Sequence, residues 1–246
     1  MNRRAIFVAS AVVALLACAA CSSSPGAPRS DSVVQPPSQI VDFKLLYSQN
    51  CAGCHGADGK DGAAIALANP VFLAIADDTA IRNTAANGVP RTSMPAFAQS
   101  AGGMLTDKQI DAIVRGIRSW EKPDALGSTT PPPYATQAHG DPQRGADAYR
   151  TYCSSCHGEE GRGGSKASSI VNGSYLALVS DQQLRTIVIA GRPELGAPDW
   201  RSNVAGRPMS AQEISDVVAW LSRQRPQFPG QPYAISSMGQ AEAETR

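Results

Sequence analysis

A motif of the form Cys-x-x-Cys-His-Gly occurs twice in the chain, and this repeat constrains the fold more than any other feature. The first copy is residues 51–56 and the second is residues 153–158, an offset of 102 positions. The similarity continues without gaps at an offset of 103 and reaches the last apolar stretch at an offset of 104. Two copies of one structural unit are therefore expected, at roughly residues 39–122 and 141–225.

The segments outside the two units resemble linkers and a tail. Residues 123–140 include small polar residues and a run of three prolines, which predicts a semi-extended linker. Residues 18–38 are similar and are predicted to form a flexible linker before the first unit. Residues 226–246 are rich in Pro, Gly, Gln and Ala, which predicts a disordered tail.

Both units read as helical, with no run of alternating strand pattern, so the predicted fold class is all-α. Residues 40–50 are expected to form a helix that leads into the first motif. Thr106 with Gln109, and Ser210 with Glu213, have the spacing of a capping box at a helix start. The apolar residues that follow fall on one helix face: Ile110, Ile113, Val114 and Ile117 in the first unit, and Ile214, Val217, Val218 and Leu221 in the second.

The motif has the spacing of a covalent haem attachment site. Two residues between the cysteines let both thiols reach the two vinyl groups on one edge of a porphyrin, and the following His supplies an imidazole to the iron. Two haem c groups are therefore predicted. The predicted cofactor-binding residues are Cys51, Cys54, His55, Cys153, Cys156 and His157, of which His55 and His157 are the predicted iron ligands.

Three other uses of the cysteines explain the pattern less well. A four-thiolate zinc site does not require a His after each pair, and the pairs lie in separate units. A dithiol redox motif is expected beside a strand-helix-strand pattern, which is missing here. Structural disulfides leave the His unexplained. Haem attachment is the interpretation that uses every residue of the motif.

Composition supports a bound cofactor and argues against a nucleic-acid partner. The formal net charge is only +1, from 22 Lys and Arg against 21 Asp and Glu, whereas a nucleic-acid surface needs a basic excess. Aromatic residues make up 6% of the chain, which also contains 22 Gly and 18 Pro. A small domain with so few aromatic side chains needs a cofactor or another cross-link to complete its core.

Each unit resembles a class I cytochrome c domain. The resemblance rests on a helix, the Cys-x-x-Cys-His-Gly motif, a Gly-rich turn, the Met-Pro loop at residues 92–97 and a terminal helix from Leu105 to Trp120. It implies two tandem small helical folds, each wrapped around a covalent haem with one edge near the surface. In the first unit it implies Met94 as the second axial ligand of the iron. Met104, next to the terminal helix, is the other candidate, and Met94 could instead fill the core.

The second unit departs from this pattern. At an offset of 103, Ala197 stands at the position of the expected Met, and an Ala side chain cannot bind iron. Met209 could replace it, although its alignment with Leu105 also suits a hydrophobic staple. Alternatively, the site is open or binds water, or His139 or Lys166 reaches the iron.

The first residues have the pattern of a bacterial lipoprotein signal. Two arginines near the start precede an apolar stretch at residues 5–17, which is short for a membrane-spanning helix. Residues 1–17 are therefore predicted to be a signal peptide. Cys18, with a Leu three places before it, is the predicted acylation site, and Cys21 is the alternative. The expected location is the bacterial cell envelope, lipid-anchored to a membrane and facing the periplasm or extracytoplasmic side.

Together these features predict an electron-transfer protein rather than an enzyme. The resemblance implies redox protein partners, a donor and an acceptor, in a respiratory or dehydrogenase system. The chain is expected to act either as a separate carrier or as a subunit of a larger oxidoreductase complex. The alternative is a haem enzyme of the peroxidase kind, or a ligand sensor, that uses an open second haem.

Overall fold

The computed structural model describes residues 35–226, which contain helices and turns but no β-strand. The all-α prediction is therefore confirmed for this part of the chain. Within these residues, 35–40 belong to one structural unit and 41–226 to a second. The predicted signal peptide, Cys18, Cys21 and all but the first residue of the predicted tail lie outside the described residues. No helix within residues 35–226 is long and apolar enough to cross a bilayer.

Each repeat forms the same succession of five helices within the described residues. The first domain contains α1 (Phe43–Asn50), α2 (Ala52–His55), α3 (Pro70–Ile75), α4 (Asp78–Asn87) and α5 (Asp107–Arg118). The second domain contains α6 (Pro142–Tyr152), α7 (Ser154–His157), α8 (Gly173–Leu178), α9 (Asp181–Ala190) and α10 (Ala211–Ser222). Short 3-10 turns lie at Pro37–Gln39, Gln99–Ala101 and Pro193–Leu195.

The first helix is shorter than its apolar pattern suggests. It begins at Phe43 rather than Ile40 because Asp42 caps it: the Asp42 carboxylate accepts a hydrogen bond from the Leu45 N–H at 2.8 Å. A capping side chain satisfies an N–H that has no partner inside the helix, so it marks the helix start more sharply than the apolar pattern does.

Both predicted capping boxes are confirmed. The Thr106 hydroxyl accepts from the Gln109 N–H at 3.3 Å, and the Gln109 side chain accepts from the Thr106 N–H at 3.0 Å. Ser210 and Glu213 make the same reciprocal pair at 3.2 and 2.8 Å. The predicted apolar faces of α5 and α10 are buried as expected.

The first and last helices of each domain pack against each other, and a glycine lies at each of the two crossings. The glycine is on the last helix in the first domain and on the first helix in the second. In the first domain the Phe43 ring of α1 lies against Gly116 of α5, where a Cβ would come within 2.0 Å of the ring. In the second domain the glycine is on the other helix. Gly145 of α6 lies against the backbone of α10, where its Cβ would come within 2.0 Å of the Asp216 carbonyl oxygen and 2.8 Å of the Trp220 Cβ. A glycine thus allows the close approach of the two helices at each crossing.

A Tyr–Trp contact then ties each crossing to the haem motif. The rings of Tyr47 and Trp120 are 5.1 Å apart and nearly perpendicular, and those of Tyr149 and Trp220 are stacked at 4.3 Å. Each Tyr lies one turn before the first cysteine of its motif. Packing of the terminal helix therefore holds the motif in place.

The linker between the repeats is held against the second domain. The Arg185 guanidinium, which is buried, donates to the Pro133 carbonyl at 2.9 Å and to the Tyr134 carbonyl at 3.2 Å. The Gln182 amide donates to the same Tyr134 carbonyl at 2.8 Å. These bonds replace the water that would otherwise solvate an extended, Pro-rich backbone.

Candidate haem sites

Both motifs fold as a single helical turn that ends at a glycine with positive φ. Gly56 has φ +81° and Gly158 has φ +78°, a region that other residues rarely adopt. A Cβ on Gly56 would also lie 1.7 Å from the Lys60 carbonyl oxygen. Glycine at the sixth position of the motif is thus required for the chain to turn back over the His.

The two histidines are oriented in the same way. The His55 Nδ1 atom lies 2.7 Å from the Ile65 carbonyl oxygen, and the His157 Nδ1 atom lies 2.8 Å from that of Ser168. We assign the proton to Nδ1 in each case, since a carbonyl can only accept. Each Nε2 then keeps its lone pair for a metal, and the carbonyl fixes the ring as an outer-shell partner would.

His55 is kept neutral by its surroundings. Its burial lowers its pKa, and the positive charge of Arg192 acts in the same direction against the opposing hydrogen bond to Ile65. A neutral imidazole is the form that ligates iron.

The motif cysteines are not bonded to one another. None of the four in the described residues forms a disulfide, so the structure shows no disulfide use of the motif. Burial raises the pKa of Cys51 to about 11 and that of Cys153 to about 12. Within residues 35–226 no three or more His, Cys, Asp and Glu side chains are grouped so that they could hold a metal ion. Two free thiols and a His with an open Nε2, on one helical turn, fit a covalently attached haem c.

The tyrosines before the motifs complete this arrangement. The Tyr47 hydroxyl donates to the Gly56 carbonyl at 2.9 Å, and the Tyr149 hydroxyl donates to that of Gly158. Burial raises the pKa of Tyr47 far above its usual range and that of Tyr149 to about 12, so both hydroxyls remain donors at neutral pH.

The loops expected to face the other side of each haem have matching backbones. In the first domain the Val89 N–H donates to the Met94 carbonyl at 3.0 Å, and in the second the Arg192 N–H donates to the Ala197 carbonyl at 2.9 Å. Met94 and Ala197 are both partly buried. Ala197 therefore occupies the place of Met94, as the repeat alignment indicates.

Met209 occupies the place of a core leucine. Its N–H donates to the Trp200 carbonyl at 2.9 Å, as the Leu105 N–H donates to that of Phe97 at 2.8 Å. The Met209 side chain is 2% exposed within the apolar core, and its sulfur lies 3.9 Å from the Asn203 amide nitrogen. These contacts match the hydrophobic staple, and ligation of iron by Met209 stays a prediction.

The remaining candidate ligands lie on the surface. Met104 is 82% exposed, and Lys166 and His139 are exposed as well. His139 borders a cleft that it shares with Arg185 and Ser215 and with no motif residue.

The sequence pattern did not reveal a contact between the two haem sites. The Arg192 side chain of the second domain donates to the Gly62 carbonyl of the first at 2.8 Å, and the Asn69 amide donates back to the Ala190 carbonyl at 3.1 Å. Helices α3 and α9 pack together beside these bonds. The only signal in the sequence is the change from Val89 to Arg192 at equivalent positions of the repeat.

Two helical domains, each built around a Cys-x-x-Cys-His turn with a carbonyl-fixed His, define a tandem class I cytochrome c. The family described as "Cytochrome C oxidase, cbb3-type, subunit III" matches residues 39–115 and 140–221, and the chain belongs to this family. Membership indicates covalently bound haem c and a part in electron transfer.

Curated relatives agree with this assignment. The chain is 25% identical over 183 residues to the "Cytochrome bc1 complex cytochrome c subunit" of Mycobacterium tuberculosis, covering 72% of this chain and 61% of the relative. It is 26% identical over 153 residues to the "Cbb3-type cytochrome c oxidase subunit CcoP" of Azospirillum sp., covering 56% of this chain and 47% of the relative. The chain thus spans less than two thirds of the length of these relatives.

Similarity to solved structures is weaker. A Kuenenia stuttgartiensis reducing HAO-like protein complex aligns with 78% of this chain and 100% of its own chain, at a TM-score of 0.43 and 19% identity. Thiosulfate dehydrogenase from Marichromatium purpuratum aligns with 93% and 54%, at a TM-score of 0.30 and 20% identity. Likeness at this level carries no functional argument.

Proposed function

We propose that this chain is a membrane-tethered di-haem c-type cytochrome that carries electrons between a respiratory or dehydrogenase donor and an acceptor, as a subunit of a larger oxidoreductase complex. The observation that carries the proposal is the equivalence of the two motifs. Both are single helical turns in which a backbone carbonyl fixes Nδ1 of the His. Subunits of bc1 and cbb3 complexes among the relatives support the assignment to a complex.

When bound, each haem supplies a one-electron ferric–ferrous couple. The chain's own residues hold and tune that couple. Cys51 and Cys54 anchor one haem and Cys153 and Cys156 the other. Each fixed imidazole would donate to iron, and the burial of His55 excludes water from its side of the first site.

The two sites are proposed to be inequivalent. A Met thioether favours ferrous iron and raises the potential, and Met94 is placed on the loop that can provide one. Ala197 provides no ligand at the equivalent point, and Met209 is held in the core. We infer that the second haem has the lower potential and an accessible sixth position.

An accessible second haem favours one further function, the binding of a small ligand such as carbon monoxide or peroxide. The loop around Ala197 carries two carboxylates, and each is held in an ion pair: Glu194 with Arg192 at 2.5 Å and Asp199 with Arg201 at 2.6 Å. Because both are engaged in this way, neither is positioned as a free acid-base group, and ligand binding is better supported than peroxide turnover.

The location is proposed from the leader pattern. Acylation at Cys18, or alternatively at Cys21, would hold the chain at a membrane of the bacterial cell envelope on its extracytoplasmic side. A tether of this kind raises the local concentration of the cytochrome near membrane-bound redox partners.

Haem stoichiometry tests the proposal. Intact mass together with haem staining on a denaturing gel should show two covalent haems per chain. The double variant C51A/C54A and the double variant C153A/C156A should each retain one. A wild-type mass increment of a single haem, or of none, would overturn the di-haem assignment.

A further inference from the structure

Arg192 contacts both candidate haem sites at once. The Arg192 N–H donates to the Ala197 carbonyl at 2.9 Å, and the Ala197 N–H donates to the Arg192 carbonyl at 3.0 Å. This pairing holds the distal loop of the second domain. Its guanidinium reaches in the opposite direction and donates to the Gly62 carbonyl of the first domain at 2.8 Å.

Gly62 is packed directly on the first haem motif. A Cβ at this position would lie 2.3 Å from the Cys54 carbonyl oxygen and 2.6 Å from the His55 carbonyl carbon. The residue that receives the Arg192 hydrogen bond is therefore in contact with the backbone of the predicted iron ligand. Arg192 thus places a fixed cation beside the proximal side of the first haem.

The charge is shielded from solvent, so its field extends further than that of a surface residue. Arg192 is 9% exposed, and its guanidinium pairs with the Glu194 carboxylate at 2.5 Å, with side-chain exposures of 11% and 12%. Charges in such a low-dielectric position interact more strongly with their neighbours than charges in water. The equivalent residue in the first domain, Val89, carries no charge. Only the second domain therefore supplies a cation from this position of the repeat.

We infer that Arg192 is a positioning residue that raises the reduction potential of the first haem, although it belongs to the second domain. Ferric haem carries one more positive charge than ferrous haem, so a nearby fixed cation favours uptake of the electron. The hydrogen bond to Gly62 also keeps the proximal turn in one position. Glu194 moderates the effect by partly neutralising the cation. This inference rests on the proposed function, because it requires a haem at each motif.

The test is a spectroelectrochemical titration of the full-length di-haem protein. The substitution Arg192→Met should lower the equilibrium constant for reduction of the first haem about tenfold, which corresponds to ~59 mV for one electron. Arg192→Lys, which keeps the charge, should retain most of the wild-type potential. The first haem is recognised by its thioether signature, which Met94→Ala abolishes.

Glu194→Gln separates an electrostatic role from a merely structural one. Removing the carboxylate leaves the Arg192 charge uncompensated, so the potential of the first haem should rise, opposite in direction to Arg192→Met. If Arg192 only held the domains together, both substitutions would loosen the same contact and shift the potential in the same direction. That outcome, or no shift in either variant, would overturn the inference.

Arg225→Met is the matched control. Like Arg192, Arg225 pairs with a carboxylate, that of Asp181. It also donates to the backbone carbonyls of Leu176 at 3.1 Å and Val179 at 2.9 Å. All of these partners lie in the second domain. The variant should leave the potential of the first haem unchanged. Haem content is measured on the same samples. Two haems with no Arg192 effect refute this inference alone, whereas a single haem refutes the proposed function.

Discussion

Ala197 lies in the second domain at the point where Met94 lies in the first. The carbonyl of each accepts a hydrogen bond from the N–H of the residue five places earlier, Arg192 or Val89. The second loop also forms a 3-10 turn at Pro193–Leu195, which the first loop lacks, but both loops keep this hydrogen bond. The replacement of Met94 by Ala197 thus separates the expected chemistry of the two haems.

Met94→Ala should make the first haem resemble the second. Without the thioether, ferrous iron is less favoured, so the potential of the first haem should fall, and reduced protein should bind carbon monoxide at both haems instead of one. Carbon monoxide difference spectra and a redox titration measure both effects. Ala197→Met is the reciprocal variant and should suppress binding at the second haem. Wild-type protein that binds no carbon monoxide would contradict the open second site.

Met209→Leu should leave the haem spectra unchanged. Met209 lies where the first domain has Leu105, so this volume-conserving change should cost less than about 1.5 kcal/mol of unfolding free energy. Met209→Ala removes buried atoms and should cost about 2–5 kcal/mol. Absorption spectra and denaturant titrations distinguish these outcomes. A change of axial-ligand spectrum in Met209→Leu would identify Met209 as the sixth ligand instead.

Cys18→Ser should release the protein from membranes. The leader pattern places an apolar residue three positions before Cys18, and the loss of acylation removes the hydrophobic anchor. Fractionation of cells and mass spectrometry of the N-terminal peptide test this, with Cys21→Ser as the comparison. A wild-type chain that is already soluble, with no lipid on its N-terminal peptide, would disprove the anchor.

Gly116→Ala should destabilise the first domain. The new Cβ would come within 2.0 Å of the Phe43 ring and force α1 and α5 apart, at a cost of about 1–3 kcal/mol. Denaturant unfolding followed by circular dichroism measures this difference. Gly173→Ala, outside both haem motifs, is the control, because the nearest atom to its Cβ position, in the Pro226 ring, lies at an ordinary contact distance of 3.7 Å. Equal stability of the two variants would argue against the observed helix crossing.

The stability of the second domain should depend on pH through Asp216. Burial by itself raises the pKa of this carboxyl, but hydrogen bonds from Arg144, the Asp141 N–H and Gln212 outweigh burial and hold the pKa below its usual value. The Arg144 bonds measure 2.9 Å. Because the folded pKa is depressed, this stabilisation is complete above the unfolded pKa of about 3.9 and is lost as the pH falls through the folded pKa.

Asp216→Asn should therefore lower stability at neutral pH and flatten the loss of stability below about pH 4. Thermal unfolding from about pH 2 to about pH 7, a range of roughly five units that includes the unfolded pKa, measures this change in stability. Asp147→Asn removes a carboxylate that is 69% exposed and should leave the profile unaltered. An unchanged acid limb in Asp216→Asn would show that other carboxylates determine it.

The features that the sequence predicted correctly all depend on groups close together in the chain. The capping pairs Thr106–Gln109 and Ser210–Glu213 each join residues that are three positions apart. The alignment of Ala197 with Met94 also agrees with the structure. One extra residue lies between the motif and this loop in the second repeat, but it leaves the equivalent backbone hydrogen bond in place. Helix starts shifted where a cap such as Asp42 overrode the apolar pattern.

Tertiary structure decided the features in which distant residues share one volume or one set of partners. At the helix crossing, the glycine is on the last helix in one domain, Gly116, and on the first helix in the other, Gly145. Arg118 donates to the Leu73 carbonyl, and Arg225 donates to the equivalent Leu176 carbonyl from a position three residues further along the repeat.

The physical reason is that packing responds to the volume and charge present at a point in space, whichever segment supplies them. A repeat can therefore conserve a contact while moving the residue that makes it. The bond from Arg192 to Gly62, which joins residues 130 positions apart, has no local pattern at all. The sequence by itself predicted where each haem attaches and determined which loop lacks a methionine. Only the fold brought the second domain's arginine beside the first domain's histidine.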